Sequence, residues 1–344
     1  MGIAIPQVIT PSKASGAQVI DGSVGFTSES QTHLTRTPSS EGNRKTFTYS
    51  CWVKRDSLGD NPVNNKRLFS AQDTDAGSSS YSSIYFRGTG LTGQIEFLDY
   101  LSGTREGRMR TEGRPCRDTS GWYHVCVAVD YTDSTAKDRI KIYINGVRQG
   151  RDSAQDIDPD TTDQTFINST EEHNIGKQPT DTDKTQSGRL SQVYLIDGQA
   201  LGPEYFGFTD PLTNTWKPKK YVNTTASHGD AAGVVGFGTN GFYLPMDGNS
   251  PIGQDQSGQG NNYTPVNFGG SVALDSPLVS GARPILNTTQ GGAQAGVGVF
   301  GSKQNVGYAV TVYNDGGGNK YYIDGVKQDT VTGLIRGATY TFDT

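Results

Sequence analysis

The chain is poor in cysteine, in surplus basic charge and in continuous apolar sequence, and each shortage excludes something. Its three cysteines, Cys51, Cys116 and Cys126, are an odd number with no CxxC or Cys/His spacing, so neither a disulfide framework nor a zinc module is expected. Cys51 and Cys126 fall within strand-like segments, where a reduced thiol behaves as a small buried hydrophobe. A formal net charge of -5 offers no basic face for counterion release, which argues against duplex nucleic acid as a partner. No run approaches the roughly 20 apolar residues that cross a bilayer. The N-terminal MGIAIPQVITPSKASG has neither a charged leader nor an apolar block, and Pro6 spoils the myristoylation signal that Met1-Gly2 hints at. A soluble protein assembled in a cytoplasm, without membrane insertion, is the expectation.

No long segment sustains a helical period either. With 45 glycines, 15 prolines and an apolar fraction of 33% in 344 residues, the composition predicts many short strands joined by long polar loops. The clearest strands lie in WYHVCVAVDYTDSTAKDRIKIYINGVRQG, Trp122 to Gly150. Tyr123, Val125, Val127 and Val129 share one face while His124, Cys126 and Ala128 take the other, so this strand is covered on both sides. In the next, Ile140, Ile142 and Ile144 point inward and Arg139, Lys141 and Tyr143 outward. Asn145-Gly146 supplies the positive φ angles of a two-residue type I′ turn. Further strands are expected at 47–53, 66–70, 83–87, 94–99, 173–176 and 190–196. Their spacing predicts an all-β antiparallel sandwich.

Four regions follow from the changes in composition. Residues 1–20 form an N-terminal arm and 21–216 the sandwich. Residues 217–300 form a Gly/Asn-rich strap or linker, in which Phe237, Phe242, Leu244 and Phe268 serve as anchors on a neighbouring surface. Residues 301–344 form a small β-rich region with a second hairpin signal at Asp324-Gly325. That last region is marginal as an independent domain, so it is expected to begin a longer domain or to pair with another subunit. A homotrimer is expected, because straps lacking their own core find burial against sister subunits.

Four segments carry a family resemblance: FTYSCWVKR (Phe47 to Arg55), GWYHVCVAVDY (Gly121 to Tyr131), IKIYINGV (Ile140 to Val147) and GRLSQVYLIDGQAL (Gly188 to Leu201). Together they resemble the laminin-G-like, concanavalin A-like jelly roll over the first two-thirds of the chain. A narrower resemblance rests on Thr35 to Arg55 taken with GTNGFYLPMDGNSPIGQDQSGQGNNYTPVNF, Gly238 to Phe268. This pair is similar to virion-surface proteins of marine bacteriophages, in which a lectin-like domain precedes a Gly/Asn-rich segment and a small β domain.

Glucanases of this fold set a Glu-x-Asp-x-x-Glu pattern on one strand, and this chain has none. Glu96 and Asp99 come nearest; their odd separation points them to opposite faces, and surface ion pairing is expected of both. His33, His124, His173 and His228 lack ligand spacing or a Ser/Asp partner motif, so no catalytic residue is assigned. The resemblance implies calcium as the one possible cofactor. Asp156, Asp158, Asp160 and Asp163 crowd one loop and Asp73 and Asp75 another, although Thr161 and Ile167 break the EF-hand pattern. Tyr81, Tyr85, Tyr100 and Trp216 are candidate stacking platforms for a pyranose. Arg105, Arg108 and Arg110, with Arg114 and Arg117 beyond them, are candidates for contact with an anionic sugar or an acidic capsid surface.

The expectation is a non-enzymatic head fibre or tail fibre on the virion surface, holding to other capsid or tail proteins and attaching weakly and multivalently to host-surface glycans. The alternatives are a capsid decoration protein that binds no sugar and, behind it, a secreted polysaccharide hydrolase.

Overall fold

The computed structural model describes residues 17–18, 20, 22–58, 65–88, 93–221, 236–247 and 250–268, together with short strands from 286 onward. The chain divides into two compact units, Met1–Gly298 and Val299–Thr344. The first contains strands β1 (Val24–Phe26), β2 (His33–Arg36), β3 (Thr46–Arg55), β4 (Lys66–Gln72), β5 (Tyr81–Phe86), β6 (Ile95–Leu101), β7 (Thr104–Arg110) and β8 (Tyr123–Asp130). It continues with β9 (Ile140–Ile144), β10 (Val147–Arg148), β11 (Glu172–Ile175), β12 (Gly188–Asp197), β13 (Gly207–Asp210), β14 (Thr215–Pro218), β15 (Phe242–Leu244) and β16 (Thr264–Val266). Among the described residues no helix is long and apolar enough to cross a membrane.

Two seven-stranded antiparallel sheets form the sandwich. The first runs β1-β12-β3-β8-β9-β10, with β15 also against β12; the second runs β16-β2-β11-β4-β5-β6-β7. Alternation in the sequence decides which side chains lie between them. Phe47, Tyr49, Cys51 and Val53 of β3 and Val125, Val127 and Val129 of β8 meet Phe69, Ile84, Phe86 and Phe97 from the other sheet in one buried cluster. Tyr49 stacks on Phe69 with ring centroids 5.1 Å apart, tying the layers together at their centre. The β9–β10 turn has Asn145 at φ 49 and Gly146 at φ 80, as a type I′ turn requires. The three cysteines are free and buried.

Residues 236–268 take a different part from the one expected of a strap. β15 pairs with β12 in one sheet, and β16 pairs with β2 in the other. Phe242, Leu244, Tyr263 and Phe268 are buried in the sandwich core itself, while Phe237 is buried in a second cluster on the outer face of the first sheet. The physical reason first given for a trimer therefore does not apply to this stretch, whose apolar groups are covered within their own chain. A bulge between Ser191 and Tyr194 lets β1 and β15 lie one after the other along the same side of β12.

Beyond the sandwich, β17 (Leu286–Asn287) pairs with β18 (Gly292–Ala293). In the second unit β19 (Val310–Asn314), β20 (Asn319–Ile323) and β21 (Val326–Gln328) form an antiparallel three-stranded sheet. Asp324-Gly325 lies outside the described residues, but the strands on either side pair from Ile323 with Val326.

Candidate functional site

Strand pairing gathers the tyrosines and arginines of the second sheet onto its outer face. Tyr81, Ser83 and Tyr85 of β5 lie opposite Tyr100, Leu98 and Glu96 of β6, and β7 adds Arg110 beside Glu96, Arg108 beside Leu98 and Arg105 beside Tyr100. Arg67 comes from β4. A bulge between Arg67 and Phe69 turns Arg67 outward while Phe69 stays in the core. Its guanidinium carbon sits 3.9 Å from the Tyr85 ring centroid and 5.8 Å from that of Tyr81. Arg67 Nε and Nη2 both donate to Gln178 Oε1, at 3.0 and 2.6 Å. Arg67 is only 1% exposed, and among the described residues its Nη1, Gln178 Nε2 and Ser83 Oγ are buried without hydrogen-bond partners.

Glu96 is the carboxylate at the centre of this face. It accepts from Tyr85 OH at 2.6 Å and Arg110 Nε at 2.7 Å, with Arg87 Nε at 3.6 Å. Burial, and then the neighbouring Glu96 charge, hold the Tyr85 phenol above its ordinary range. Glu96 and Asp99 do point to opposite faces of β6, but neither is a surface group: each is 1% exposed. Arg110 and Arg87 pair with Glu96, whereas Asp99 is enclosed between Ser82 and Tyr131 on the core side. Burial pushes the Asp99 carboxyl up to about 7, against the opposing pull of those two hydrogen bonds.

The candidate residues separate accordingly. Tyr85 is pinned under Arg67 and closed to stacking, while Tyr81, itself buried, backs half-buried Tyr100 with centroids 5.4 Å apart. Trp216 lies elsewhere, on the outer face of the first sheet. It stacks on His124 at 5.7 Å and fills space that a side chain at Gly146 or Gly207 would occupy, so it serves as packing. Of the arginines, Arg105 is exposed and lies 5.9 Å from the Tyr100 ring. Arg108 is buried and donates to the backbone and side chain of Gln155, and Arg110 is taken up by Glu96, so these two are structural rather than free for an anionic surface.

The acidic loops have internal partners as well. Arg151 Nε donates to Asp156 and its Nη2 to Asp158, each at 2.6 Å. Asp160 donates its backbone N–H to Asp163, and Asp73 caps the N–H groups of Asp75 and Ala76. Among the described residues no group of three or more His, Cys, Asp or Glu is placed to hold a metal ion. His124 and His173 are buried, which pushes their pKa values down to about 3 and about 4. His124 is within hydrogen-bond distance of Ser50, Nε2 to Oγ 2.9 Å, beneath the rings of Trp52 and Trp216.

Arg67 and Gln178 are the site residues that sequence reasoning missed. Regular alternation would put Arg67 on the same face as Phe69, and only the bulge separates them. Gln178 arrives from a loop, and no local pattern announces it.

Comparison with known proteins bears on the same region. A family model described as the concanavalin A-like lectin/glucanases superfamily, of the laminin G type, matches residues 28–204. A search among curated proteins finds no match. Among solved structures, the heptameric SAP-like pentraxin of Limulus polyphemus is similar at 18% identity and TM-score 0.38, over 54% of this chain and 79% of that one. The CBM40 module of the Ruminococcus gnavus IT-sialidase, bound to α2,3-sialyllactose, is similar at 14% identity and TM-score 0.31, over 51% of this chain and 85% of its own. The enzymatically active domain of bacteriophage CBA120 tailspike protein 2 gives 12% identity and TM-score 0.35, over 54% of this chain and 29% of its own.

Proposed function

The chain belongs to the concanavalin A-like lectin/glucanases superfamily, and from that premise we propose that it is a non-enzymatic virion-surface protein, a head or tail fibre, whose sandwich attaches to host-surface glycans. The observation that carries the reading is the outer face of the second sheet, where half-buried Tyr100, backed by Tyr81, and exposed Arg105 stand together on a rigid strand platform. Aromatic edges with a polar neighbour suit a pyranose ring, and many weak sites on one particle give useful avidity without a deep pocket. The resemblance of Thr35 to Arg55 and Gly238 to Phe268 to virion-surface proteins supports the location. Assembly as a homotrimer belongs to the same proposal and would align several such faces.

The test has two arms. The full chain is applied to an array of bacterial and algal surface glycans, and antibody labelling locates the protein on assembled particles. Binding together with labelling at fibres is the expected outcome; no binding to any glycan sinks the attachment role. Sugar release from a bound polysaccharide would sink the non-enzymatic part.

A second reading is a decoration protein that binds capsid rather than sugar. Leu212, at the turn between β13 and β14, is 84% exposed, and Val147 is 64% exposed. Labelling confined to capsomers, with normal adsorption of particles lacking the protein, would favour it.

A further inference from the structure

Arg67 is held by an acceptor weaker than its donors are built for. The Nε–Nη2 edge of a guanidinium matches the two oxygens of a carboxylate, or two oxygens of a sulfate. Here that edge meets a single neutral oxygen, Gln178 Oε1. No carboxylate lies in ion-pair contact with Arg67 among the described residues, since Glu96, the acidic group on this face, is committed to Arg110, Arg87 and Tyr85. Arg67 Nη1 and Gln178 Nε2, both donors, are left over in the same place. Arg105 adds exposed positive charge on this face of a chain whose net charge is -5.

We propose that the outer face of the second sheet takes an acidic glycan, and that a carboxylate or sulfate of the sugar displaces Gln178 Oε1 from Arg67. This deepens the attachment reading and rests on it. Gln178 is then a placeholder: its amide keeps the arginine fork satisfied and flat on Tyr85 while the site is empty. When the anion arrives, bonds from a charged donor to a single neutral oxygen are exchanged for a bidentate pair between opposite charges. Gln178 and Arg67 are both buried, and the segment that carries Gln178 is bridged at Lys177 and Thr185, so the Gln178 side chain must swing out for the anion to reach Arg67. Half-buried Tyr100, backed by Tyr81, lies beside the ring that carries the anion.

The probes are polygalacturonate for carboxylate, dextran sulfate for sulfate, and unmodified dextran as the neutral match, each titrated calorimetrically against the full chain. The decisive variant is Gln178→Glu, which gives Arg67 a carboxylate of its own and so preserves the packing. Expected are binding of at least one acidic polymer about tenfold or more tighter than dextran, and loss of about tenfold or more of that affinity in Gln178→Glu. Thermal unfolding shows that the variant is folded. Arg105→Gln, at an exposed position, is expected to weaken acidic binding to a lesser degree. If an array glycan binds, but neutral and acidic polymers bind alike and Gln178→Glu changes nothing, the acidic-ligand inference falls and glycan attachment stands. If no array glycan and none of the three polymers binds, both fall.

Discussion

Asp99→Asn tests how dry the sandwich interior is. The Asp99 carboxyl accepts from Ser82 Oγ at 2.6 Å and Tyr131 OH at 3.2 Å, and its pKa is raised from 3.8 to about 7. Burial is the main cause, and the two hydrogen bonds oppose it. In the unfolded chain the group titrates near its ordinary value of about 3.9. Between about pH 4 and pH 7 the folded protein thus holds a proton that the unfolded chain has released. The stabilising contribution is full below about pH 4 and is lost as the pH rises through about 7. The slope approaches about 1.4 kcal/mol per pH unit, and the total is roughly 4 kcal/mol. His124 and His173, kept neutral by burial, have the opposite slope, stabilising above their unfolded pKa and losing that contribution as pH falls. They are present in both proteins and cancel in the difference. The assay is urea unfolding followed by tryptophan fluorescence at five pH values from 4 to 8. Stability of the variant relative to the parent is expected to rise by roughly 4 kcal/mol across that range. A difference that is flat with pH would refute the reasoning, because Asp99 would then titrate alike in both states.

Two further predictions concern the core. A chain ended at residue 216 loses β15, β16 and the buried rings of Phe242, Tyr263 and Phe268. Each large aromatic removed from a core costs about 3–5 kcal/mol against a total stability of about 5–15 kcal/mol. It is therefore expected to give no cooperative melt by circular dichroism, whereas a chain ended at 298 melts cooperatively. For the thiols, burial pushes Cys51 and Cys116 up to about 12 and raises Cys126 as well. Ellman's reagent at pH 8 should find none of these thiols reactive in the folded protein and all three in guanidinium, and rapid labelling without denaturant would contradict the packing.

Much of the sandwich was legible because long strands carry their own signal. The β8–β9 pair has alternating apolar residues over its full length and a turn whose two residues favour positive φ. β1, β2, β15 and β16 are three or four residues long, too short to show a period, and exist because a partner strand completes them. Phe237, Phe242, Leu244 and Phe268 were visible as anchors, but where they dock is a tertiary fact that spacing does not encode. At the site, alternation correctly sent Glu96 and Asp99 to opposite faces and gathered the tyrosines of β5 and β6. It was silent on burial, which depends on arginines from neighbouring strands lying flat over the rings, and on the bulge that redirects Arg67. Trp216 reads as a platform in isolation and as filler once the two glycines around it are seen.

The pairing of Thr264 with Thr35 and of Leu244 with Val193 also sets a timetable for biosynthesis. A ribosome must deliver every residue through Leu244 before the first layer can be finished and through Val266 before the second, so the nascent polypeptide carries an open sheet margin at β2 for most of its translation and a second one at β12 from its synthesis until β15 emerges. Exposed margins of that kind are templates for association between neighbouring unfinished chains. Slow emergence and chaperone cover during that interval would govern the yield of native protein more than its final stability does.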